Sequence, residues 1–260
     1  MPQFDAAAKT YDTAFTFSHV GAAQRRAVWS YLDQTLGSEL RILELNGGTG
    51  EDAVWLAGSK HEVVCTDVSP EMLKVAQRKA AEADFPIQFE ALDLTNPTQF
   101  KPAHKFDAVF SNFAGLNCLD SDQLAAVFDT MNDWLTPGGE AILVFLGKYC
   151  IWEAKYFLLR GRPKSAGRRW TRDEVTANVD GQDVGVWYYT SQEIRRISAK
   201  HFETVQVKPI GLFVPPSYLN GFFQSRLNVL KKLEQMDNAF GSSPIFSNFS
   251  DHFLIHLRKK

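Results

Sequence analysis

Short apolar runs alternate with amphipathic segments between residues 41 and 147, and this alternation predicts parallel strands connected by helices. The predicted strands are Arg41–Leu45, Glu62–Thr66, Ile87–Glu90, Phe106–Phe110 and Ala141–Leu146. Helices are predicted to start at Glu51, Ser69 and Asp120, and Ser69 followed by Pro70 has the residue types of a helix N-terminus. Because parallel sheets bind ligands beyond the carboxyl ends of their strands, the residues after each strand are the first functional candidates.

The pattern changes after Gly147, where aromatic and basic residues become frequent. We predict a helix over Ile151–Leu159, a basic loop over Gly161–Arg172, and strands Val175–Val179 and Val184–Tyr189 around an Asp180-Gly181 hairpin turn. The remaining predicted elements are a helix from Ser191 to about Lys200, strands Thr204–Pro209 and Phe253–Leu257, and an amphipathic helix over Leu219–Met236.

Together these elements predict an α/β fold with a doubly wound, mostly parallel, seven-stranded sheet and an inserted lid after the fifth strand. We expect four regions in the chain. Residues 1–37 form N-terminal lid helices, and residues 38–147 form the cofactor-binding core. Residues 148–190 form the inserted substrate lid, and residues 191–260 complete the core sheet.

Composition narrows the class of protein. Of the 260 residues, 45% are apolar and 22% are charged, which is typical of a globular protein in water. The net charge of −2 argues against a nucleic-acid partner. The longest apolar run, Ala141–Leu146, is too short to span a membrane, and the N-terminus lacks the features of a secretory signal. Three widely spaced cysteines fit neither a disulfide framework nor a metal site, so we expect a cytoplasmic protein without a metal.

The first strand leads into a glycine-rich turn that ends at Gly50, and a helix follows. Such a turn suits an anion, because backbone N–H groups and the helix dipole face it. Asp67, at the end of the second strand, can accept hydrogen bonds from ribose hydroxyls, as in dinucleotide-binding proteins. Glu44 would repel a pyrophosphate but attract an α-amino group. Asp93 can accept from an adenine amino group, and Leu94 can offer a backbone N–H beside it; a plain loop acid is the other interpretation of Asp93.

Five segments in this order carry a resemblance to a known family: ELNGGTG, VVCTDVSPEML, FEALDL, FDAVFSNFAGLN and LTPGGEAILVF. Between about Ser38 and Leu146 the chain resembles the class I S-adenosylmethionine-dependent methyltransferases of the small-molecule type. Asn46 departs from the family pattern, because it replaces the first glycine of the turn. Asparagine tolerates a left-handed backbone better than most residues, so we expect the turn to survive.

The resemblance implies S-adenosylmethionine as the cofactor and a role for each matching residue. Glu44 and the turn would hold the methionine part, Asp67 the ribose, and Asp93 the adenine edge. Asn112, at the end of the fourth strand, would line the reacting centre, although it could also only cap a turn. The full predicted cofactor-binding set is Tyr11, Glu44, Asn46, Gly47, Gly48, Thr49, Gly50, Asp67, Val68, Met72, Asp93, Leu94, Asn112 and Phe113.

The N-terminal segment supplies the candidate catalytic residues. Tyr11, Phe15 and His19 are spaced at i, i+4 and i+8, so one helical face could present all three to the cofactor. In similar methyltransferases this segment covers the cofactor. We select Tyr11 and His19 as candidate catalytic residues, with His19 as a base; ordinary packing of Tyr11 and Phe15, and an exposed or capping His19, remain open.

Residues after Gly147 are expected to shape a pocket for a small aromatic or lipophilic acceptor, with O- or C-methylation preferred. The aromatic candidates are Tyr149, Trp152, Tyr156, Phe157, Trp170, Trp187, Phe213, Tyr218, Phe222 and Phe223. Three interpretations of the basic run Arg160–Arg172 stay open. It could be a solvated loop, a site for an anionic acceptor, carrier or membrane surface, or an RNA contact. Alternative functions are an NAD-type oxidoreductase, an RNA methyltransferase and a non-catalytic ligand-binding module; the oligomeric state stays open.

Overall fold

The central strands form where the apolar runs were predicted, because they bury side chains on both faces of one sheet. The computed structural model describes residues 4–179, 182–241 and 243–260. The strands in these ranges are β1 (Arg41–Leu45), β2 (Glu62–Asp67), β3 (Gln88–Ala91), β4 (Phe106–Ser111), β5 (Leu135–Leu146), β6 (Val175–Val179), β7 (Gln182–Val186), β8 (Phe202–Ile210) and β9 (His252–Lys259). Seven of them form one sheet in the order β3-β2-β1-β4-β5-β9-β8, and β6 pairs with β7.

Only β9 runs antiparallel within the described part of the main sheet, where it pairs with β5 on one side and β8 on the other. The pairs among β1 to β5 are all parallel. The predicted doubly wound, mostly parallel, seven-stranded α/β sheet is therefore confirmed. The inserted antiparallel strand separates this sheet from the six-stranded order of dinucleotide-binding dehydrogenases, which argues against the NAD-type alternative.

Helices cover both faces of the sheet. Those in the described ranges are α1 (His19–Thr35), α2 (Glu51–Gly58), α3 (Pro70–Glu82), α4 (Ser121–Trp134), α5 (Ile151–Leu159), α6 (Pro163–Ala166), α7 (Ser191–Ser198), α8 (Asn220–Phe223) and α9 (Leu227–Phe240). Ser69 caps α3 by accepting from the Met72 N–H, and Asp120 forms a capping box with Gln123 at α4. The predicted starts of these two helices are confirmed. No helix in the described ranges is long and apolar enough to cross a membrane.

Two apolar layers hold the helices against the sheet. Leu43 of β1 packs with Leu124 and Met131 of α4 on one face, whereas Ile42 packs with Leu32 of α1 on the other. Successive residues of β1 thus point to opposite layers, as the strand geometry requires. Since α1 belongs to this core, the expectation that all of residues 1–37 form a lid is wrong. Only the segment before α1, including a π-helical turn over Asp12–Thr16, lies outside the core layers.

Several boundaries after β4 differ from the expectations. β5 begins at Leu135 rather than Ala141, with a register shift opposite Phe106 and Ala108. The helix expected over Leu219–Met236 is broken, because Arg226 leaves the helical conformation between α8 and α9. The second hairpin strand ends at Val186 instead of Tyr189; the turn at 180–181 lies outside the described residues. The hairpin and α5 do form an insertion after β5, and its role as a lid stays a prediction.

Candidate active site

The turn after β1 has the left-handed backbone that its sequence predicted. Asn46, Gly48 and Gly50 have φ angles of 55°, 55° and 75°. Asn46 can replace the usual glycine because another glycine makes room for its side chain: a Cβ on Gly115 would lie 2.3 Å from the Asn46 Cβ. The departure from the family pattern is therefore accommodated by a partner on the loop after β4.

Glu44 is buried at the tip of β1 beside the turn. Burial and the neighbouring Asp52 carboxylate raise the pKa of Glu44 to about 8, against its usual 4.5. A Cβ on Gly47 would lie 2.3 Å from the Cys65 Sγ and 3.1 Å from Glu44 Oε2. Gly47 is thus required by the space that the Glu44 carboxyl occupies, not by its backbone conformation.

Asp67 ends β2 and is held rigidly by backbone donors. Its Oδ2 accepts from the Gly48 N–H at 2.9 Å, and its Oδ1 accepts from the Ser69 N–H at 2.8 Å. Burial raises the pKa of Asp67 above its usual value, and these hydrogen bonds oppose that shift. The two tips, β1 and β2, are therefore joined through this carboxylate.

Three residues that the sequence did not single out as site residues form a buried network beneath the strand tips. Asp52, in the first turn of α2, accepts from Arg25 Nη1 at 2.9 Å and from Trp29 Nε1 at 2.6 Å. Asn112, at the tip of β4, donates to the same carboxylate at 3.1 Å. The available signal was Asp52 itself, an acid in the first turn of the helix behind the glycine turn. Arg25 and Trp29 carried no local signal, because α1 reaches the site only through tertiary packing.

On the cofactor side of the site, two buried polar atoms have no hydrogen-bond partner among the described residues: Glu44 Oε2 and Arg25 Nε. A third such atom, His252 Nδ1, lies on the other side of Phe113. Buried polar groups without partners are rare and costly in free energy, so Glu44 Oε2 and Arg25 Nε both call for an explanation. One atom is an acceptor on a carboxyl group, and the other is a donor on a guanidinium. An α-amino acid, with its ammonium and carboxylate, has the complementary groups. The methionine part of S-adenosylmethionine therefore fits the residues present.

The N-terminal segment lies directly over the strand tips. Thr49 Oγ1 donates to Asp12 Oδ1 at 2.6 Å, and Lys79 Nζ lies 3.0 Å from Asp12 Oδ2. Ser69 Oγ donates to Asp5 Oδ1 at 2.5 Å. These contacts tie residues 5–12 to the glycine turn and to α3; a lid role for this segment stays a prediction.

Tyr11 and Phe15 face the site from this segment. The Tyr11 and Phe15 rings lie 5.6 Å apart, and the Phe15 ring meets the Phe113 ring edge-on at 5.1 Å. Burial raises the pKa of Tyr11 to about 12, although nearby Arg25 opposes the shift. The Tyr11 hydroxyl is therefore protonated at neutral pH, and it can donate a hydrogen bond but cannot act as a base.

His19 does not share a helical face with Tyr11 and Phe15, so that expectation is wrong. The π-helical turn ends at Thr16, Ser18 caps α1, and His19 is an exposed first residue of α1. The physical reason is that the chain turns between the two helices, which resets the helical phase. The structure does not bring His19 together with the strand tips as the spacing suggested.

The residues expected around the adenine are brought together only in part. Met72 is buried and packs against Ala7 and Ala8 of the N-terminal segment. Val68 is 38% exposed beside it. Asp93 is exposed and accepts from the Thr95 N–H and hydroxyl, as a loop acid does. Leu94 packs its side chain into the main core, so any contribution to the adenine would come from its backbone.

Phe113 occupies the centre of the carboxyl edge. Phe113 and Ala114 are consecutive non-glycine residues with positive φ angles of 43° and 66°. Such conformations cost energy and cluster at functional sites. The Arg25 guanidinium lies 5.1 Å from the centre of the Phe113 ring, and the His252 ring meets it edge-on at 5.3 Å. Phe113 therefore connects the cofactor side of the site to the start of β9.

His252 is a further site residue that sequence reasoning did not place. It is buried, and its Nδ1 lies 3.3 Å from Asp251 Oδ2. Because β9 pairs antiparallel with β5, His252 stands beside Leu146 at the same carboxyl edge as the strand tips. Strand register alone decides this position, which is why its local sequence gave no sign of it.

The basic run is not one solvated loop. Arg169 is buried; its Nη2 lies 2.8 Å from Glu153 Oε2 and 3.0 Å from Asp251 Oδ1. Arg168 pairs with Glu153 at 2.8 Å. Burial would raise the pKa of Asp251, but His252 and Arg169 outweigh it and hold that pKa well below its usual range. These two arginines anchor the insertion to β9, whereas other members of the run are exposed.

The predicted aromatic residues do not converge on one pocket. Phe223 and Trp152 pack in a small cluster with Val20 of α1. Trp187 packs against the main core, while Tyr149 and Trp170 are exposed. A satellite core thus accounts for part of the set, because the insertion must bury apolar surface of its own.

Comparison with known proteins finds similarity to methyltransferases over part of the chain. Residues 42–139 match the family model described as a methyltransferase domain. The Bacillus subtilis protein YqeM, provisionally named a methyltransferase, is 35% identical over 116 residues, which is 44% of this chain and 45% of that protein. A demethylmenaquinone methyltransferase of Deinococcus radiodurans is 34% identical over 110 residues, covering 41% of this chain and 43% of that one. The chain thus matches less than half the length of either relative.

Over its whole length, the chain also has the fold of a solved methyltransferase structure. A solved S-adenosylmethionine-dependent methyltransferase from Clostridium acetobutylicum has a TM-score of 0.63 at 13% identity, and 98% of each chain is covered. The fold is therefore that of the class I S-adenosylmethionine-dependent methyltransferases, as the sequence motifs suggested. The family-model match lies within this fold, over residues 42–139.

Proposed function

We propose that this protein is an S-adenosylmethionine-dependent methyltransferase acting on a small lipophilic acceptor. The observation that carries the cofactor assignment is the pair of unpartnered buried atoms, Glu44 Oε2 and Arg25 Nε. An amino-acid ammonium and carboxylate would complement these two atoms, whereas a pyrophosphate would meet the Glu44 carboxyl group. Asp67 would accept from the ribose hydroxyls, and Val68 would lie beside the adenine.

When bound, S-adenosylmethionine supplies an activated methyl group, so the protein's task is to position the acceptor and exclude water. The N-terminal segment serves as the lid in this proposal, because Asp5 and Asp12 fasten it across the turn and α3. Tyr11 donates a hydrogen bond toward the cofactor side. Phe113 separates the cofactor from the space beside His252.

The acceptor class is inferred from the apolar surroundings and from one relative. Phe15 and Phe113 present aromatic rings at the carboxyl edge, which suits a flat apolar acceptor. The Deinococcus relative is named for methylating demethylmenaquinone, a name that supports a quinone-like acceptor here. We therefore propose O- or C-methylation of such a compound.

His252 is proposed as the group that takes the proton lost by the acceptor. Asp251 faces Nδ1 of its ring, which leaves Nε2 turned away from that carboxylate. A carboxylate beside an imidazole can orient the ring for proton transfer. His252→Gln is expected to lower turnover by about 10²- to 10⁴-fold, with unchanged binding of S-adenosylhomocysteine; full turnover in this variant would remove His252 from the proposal.

Calorimetry tests the cofactor assignment. The protein is expected to bind S-adenosylhomocysteine and not NAD, and Glu44→Gln should weaken that binding, since the α-ammonium loses an anionic partner. Glu234→Gln is the matched control, because Glu234 pairs with Arg26 at the surface of α1 and α9. Binding of NAD with no binding of S-adenosylhomocysteine would contradict the proposal. Binding without turnover of any quinone or phenol tested would favour a non-catalytic module.

A further inference from the structure

Helix α5 presents apolar side chains to solvent. Ile151, Leu158 and Leu159 are 53%, 58% and 78% exposed, and Trp170 beside them is 57% exposed. Together with Tyr149 and Phe249 they line one continuous groove, which we call the α5 patch. Contiguous exposed apolar surface of this kind marks an interaction site rather than ordinary surface variation.

The other side of α5 faces the protein and holds the helix in place. Glu153 is buried against Arg168 and Arg169, and Trp152 Nε1 donates to the Phe213 carbonyl at 3.1 Å. The exposed apolar residues are therefore not a core face awaiting another part of the described chain. They point to solvent from a helix whose inner face already packs against the rest of the protein.

Positive charge accompanies the α5 patch: Lys155 lines its groove, and Arg160, Arg162 and Lys164 follow α5 in the chain. Lys155, Arg160, Arg162 and Lys164 are all exposed. Residues 154–172 contain no Asp or Glu, and the arginines that pair with Glu153 are Arg168 and Arg169. None of these four cations forms an ion pair with a described residue, although the Arg160 guanidinium also lies 4.5 Å from the centre of the Tyr156 ring. A partner for this surface is therefore expected to be anionic.

We propose that the α5 patch binds the surface of an anionic lipid membrane. Apolar residues of an interfacial helix enter the boundary between headgroups and acyl chains, while Lys and Arg bind lipid phosphates. The combination of apolar and positively charged residues favours a membrane over the two other possible partners, an RNA and a second copy of the chain. An RNA would match the charge but leave Ile151, Leu158 and Leu159 without partners. A second copy, related by a two-fold axis, would bring the same cations against each other.

The place of the α5 patch in the fold indicates which side of the molecule would face the membrane. α5 follows β5 directly, so the α5 patch lies toward the carboxyl edge of the sheet. Val205, an exposed apolar residue of β8, lies toward the opposite edge, next to Thr204, whose partner on β9 is Leu257. The chain therefore offers a control residue of similar exposure, at 43%, outside the proposed membrane-facing side.

Vesicle sedimentation with the full chain tests the proposal and needs neither cofactor nor turnover. The protein is expected to sediment with vesicles of phosphatidylcholine and phosphatidylglycerol, and to bind pure phosphatidylcholine vesicles much less. Raising the salt to about 0.5 M should weaken binding, because charge attraction to the surface is screened. Neutralising Lys155, Arg160 and Arg162 to Gln should weaken it by roughly fivefold per charge.

The apolar contribution is tested with Leu158→Asp/Leu159→Asp, compared with Val205→Asp. Only the double variant is expected to lose vesicle binding, and all variants should keep the far-ultraviolet circular dichroism of the wild type. The three-Gln variant keeps the proposal testable if the double variant unfolds. Unchanged vesicle binding in folded variants would overturn the proposal, as would tight RNA binding without vesicle binding, or a dimer that these substitutions dissociate.

Discussion

At the scale of single residues, the site is defined by charges that the fold has taken out of water. Glu44 is buried with one oxygen unpartnered, close to the Asp52 and Asp67 carboxylates and to a single nearby guanidinium, that of Arg25. Ionisation of Glu44 is unfavourable in this arrangement, because a buried charge needs compensation. In the proposed function the compensation arrives with the ligand.

Glu44 predicts a specific pH dependence of stability. Its pKa is raised to about 8 when folded, from a usual 4.5, so the folded state holds one more proton between these values. The free energy of unfolding therefore falls as the pH rises through this window, by up to about 1.4 kcal/mol per pH unit. Denaturation of the wild type and of Glu44→Gln between pH 5 and 8 measures this slope. Equal slopes in the two proteins would exclude the shift.

Ligand binding is also expected to change the protonation of Glu44. If an ammonium ion binds beside Glu44, the carboxyl group ionises, and a proton is released near pH 7. Calorimetry with S-adenosylhomocysteine in two buffers of different ionisation enthalpy measures that proton. Glu44→Gln is expected to release none, and an unchanged proton count in this variant would assign the proton to another group.

Gly47 provides a steric prediction. An alanine Cβ there would collide with Cys65 and crowd the Glu44 carboxyl group. Gly47→Ala is expected to lower stability by about 1–3 kcal/mol, since overpacking displaces neighbours, and to weaken S-adenosylhomocysteine binding. Gly221→Ala is the control, because nothing lies within 4 Å of its added Cβ. Equal stabilities of the two variants would show that the turn relaxes freely.

At the scale of elements, the N-terminal segment and α1 have different functions. α1 is a core helix that carries Arg25 and Trp29 to the site. The segment before it is held over the turn by a few polar contacts and by a small apolar cluster of Ala7 and Ala8 with Met72. Elements with few buried apolar contacts open more easily than core helices. The proposed lid role of the segment therefore predicts that it opens more often than α1.

Asp12→Asn tests how the lid is fastened. Burial raises the pKa of Asp12, but hydrogen bonds from Thr49 and Lys79 outweigh it and lower that pKa. Losing the charge should open residues 4–18 about fivefold more often, corresponding to about 1 kcal/mol for a partly exposed pair. Amide hydrogen exchange measures the opening, with exposed Asp33→Asn as the control. Identical exchange in both variants would mean that packing alone holds the segment.

At the scale of the whole molecule, one buried ionic cluster joins parts that are far apart in the chain. Arg169 of the insertion contacts Glu153, the Gly147 carbonyl after β5, and Asp251 before β9. Gln24 of α1 donates to the same Asp251 carboxylate. The insertion, the sheet and α1 are thus coupled beside the candidate acceptor space.

Removing this guanidinium should affect the molecule globally. Arg169→Met leaves two buried carboxylates without their shared cation, and we expect a loss of about 3–5 kcal/mol in unfolding free energy. Arg172→Met, at an exposed position of the same run, should change stability by less than about 0.5 kcal/mol. Chemical denaturation measures both. Similar small losses of unfolding free energy in the two variants would indicate that Arg169 belongs to a solvated loop.

The sequence by itself determined the features that arise within short stretches of chain. Apolar alternation predicted the parallel strands, Ser69 and Asp120 predicted helix starts, and the glycine turn with Asp67 predicted the cofactor edge. These signals are local, because periodicity, caps and left-handed turns depend on near neighbours. Only the tertiary structure decided that β9 lies between β5 and β8, and so placed His252 at that edge. It also decided that Arg25 meets Asp52, that Arg169 is buried and that His19 is not part of the lid face, since all three depend on contacts between distant segments.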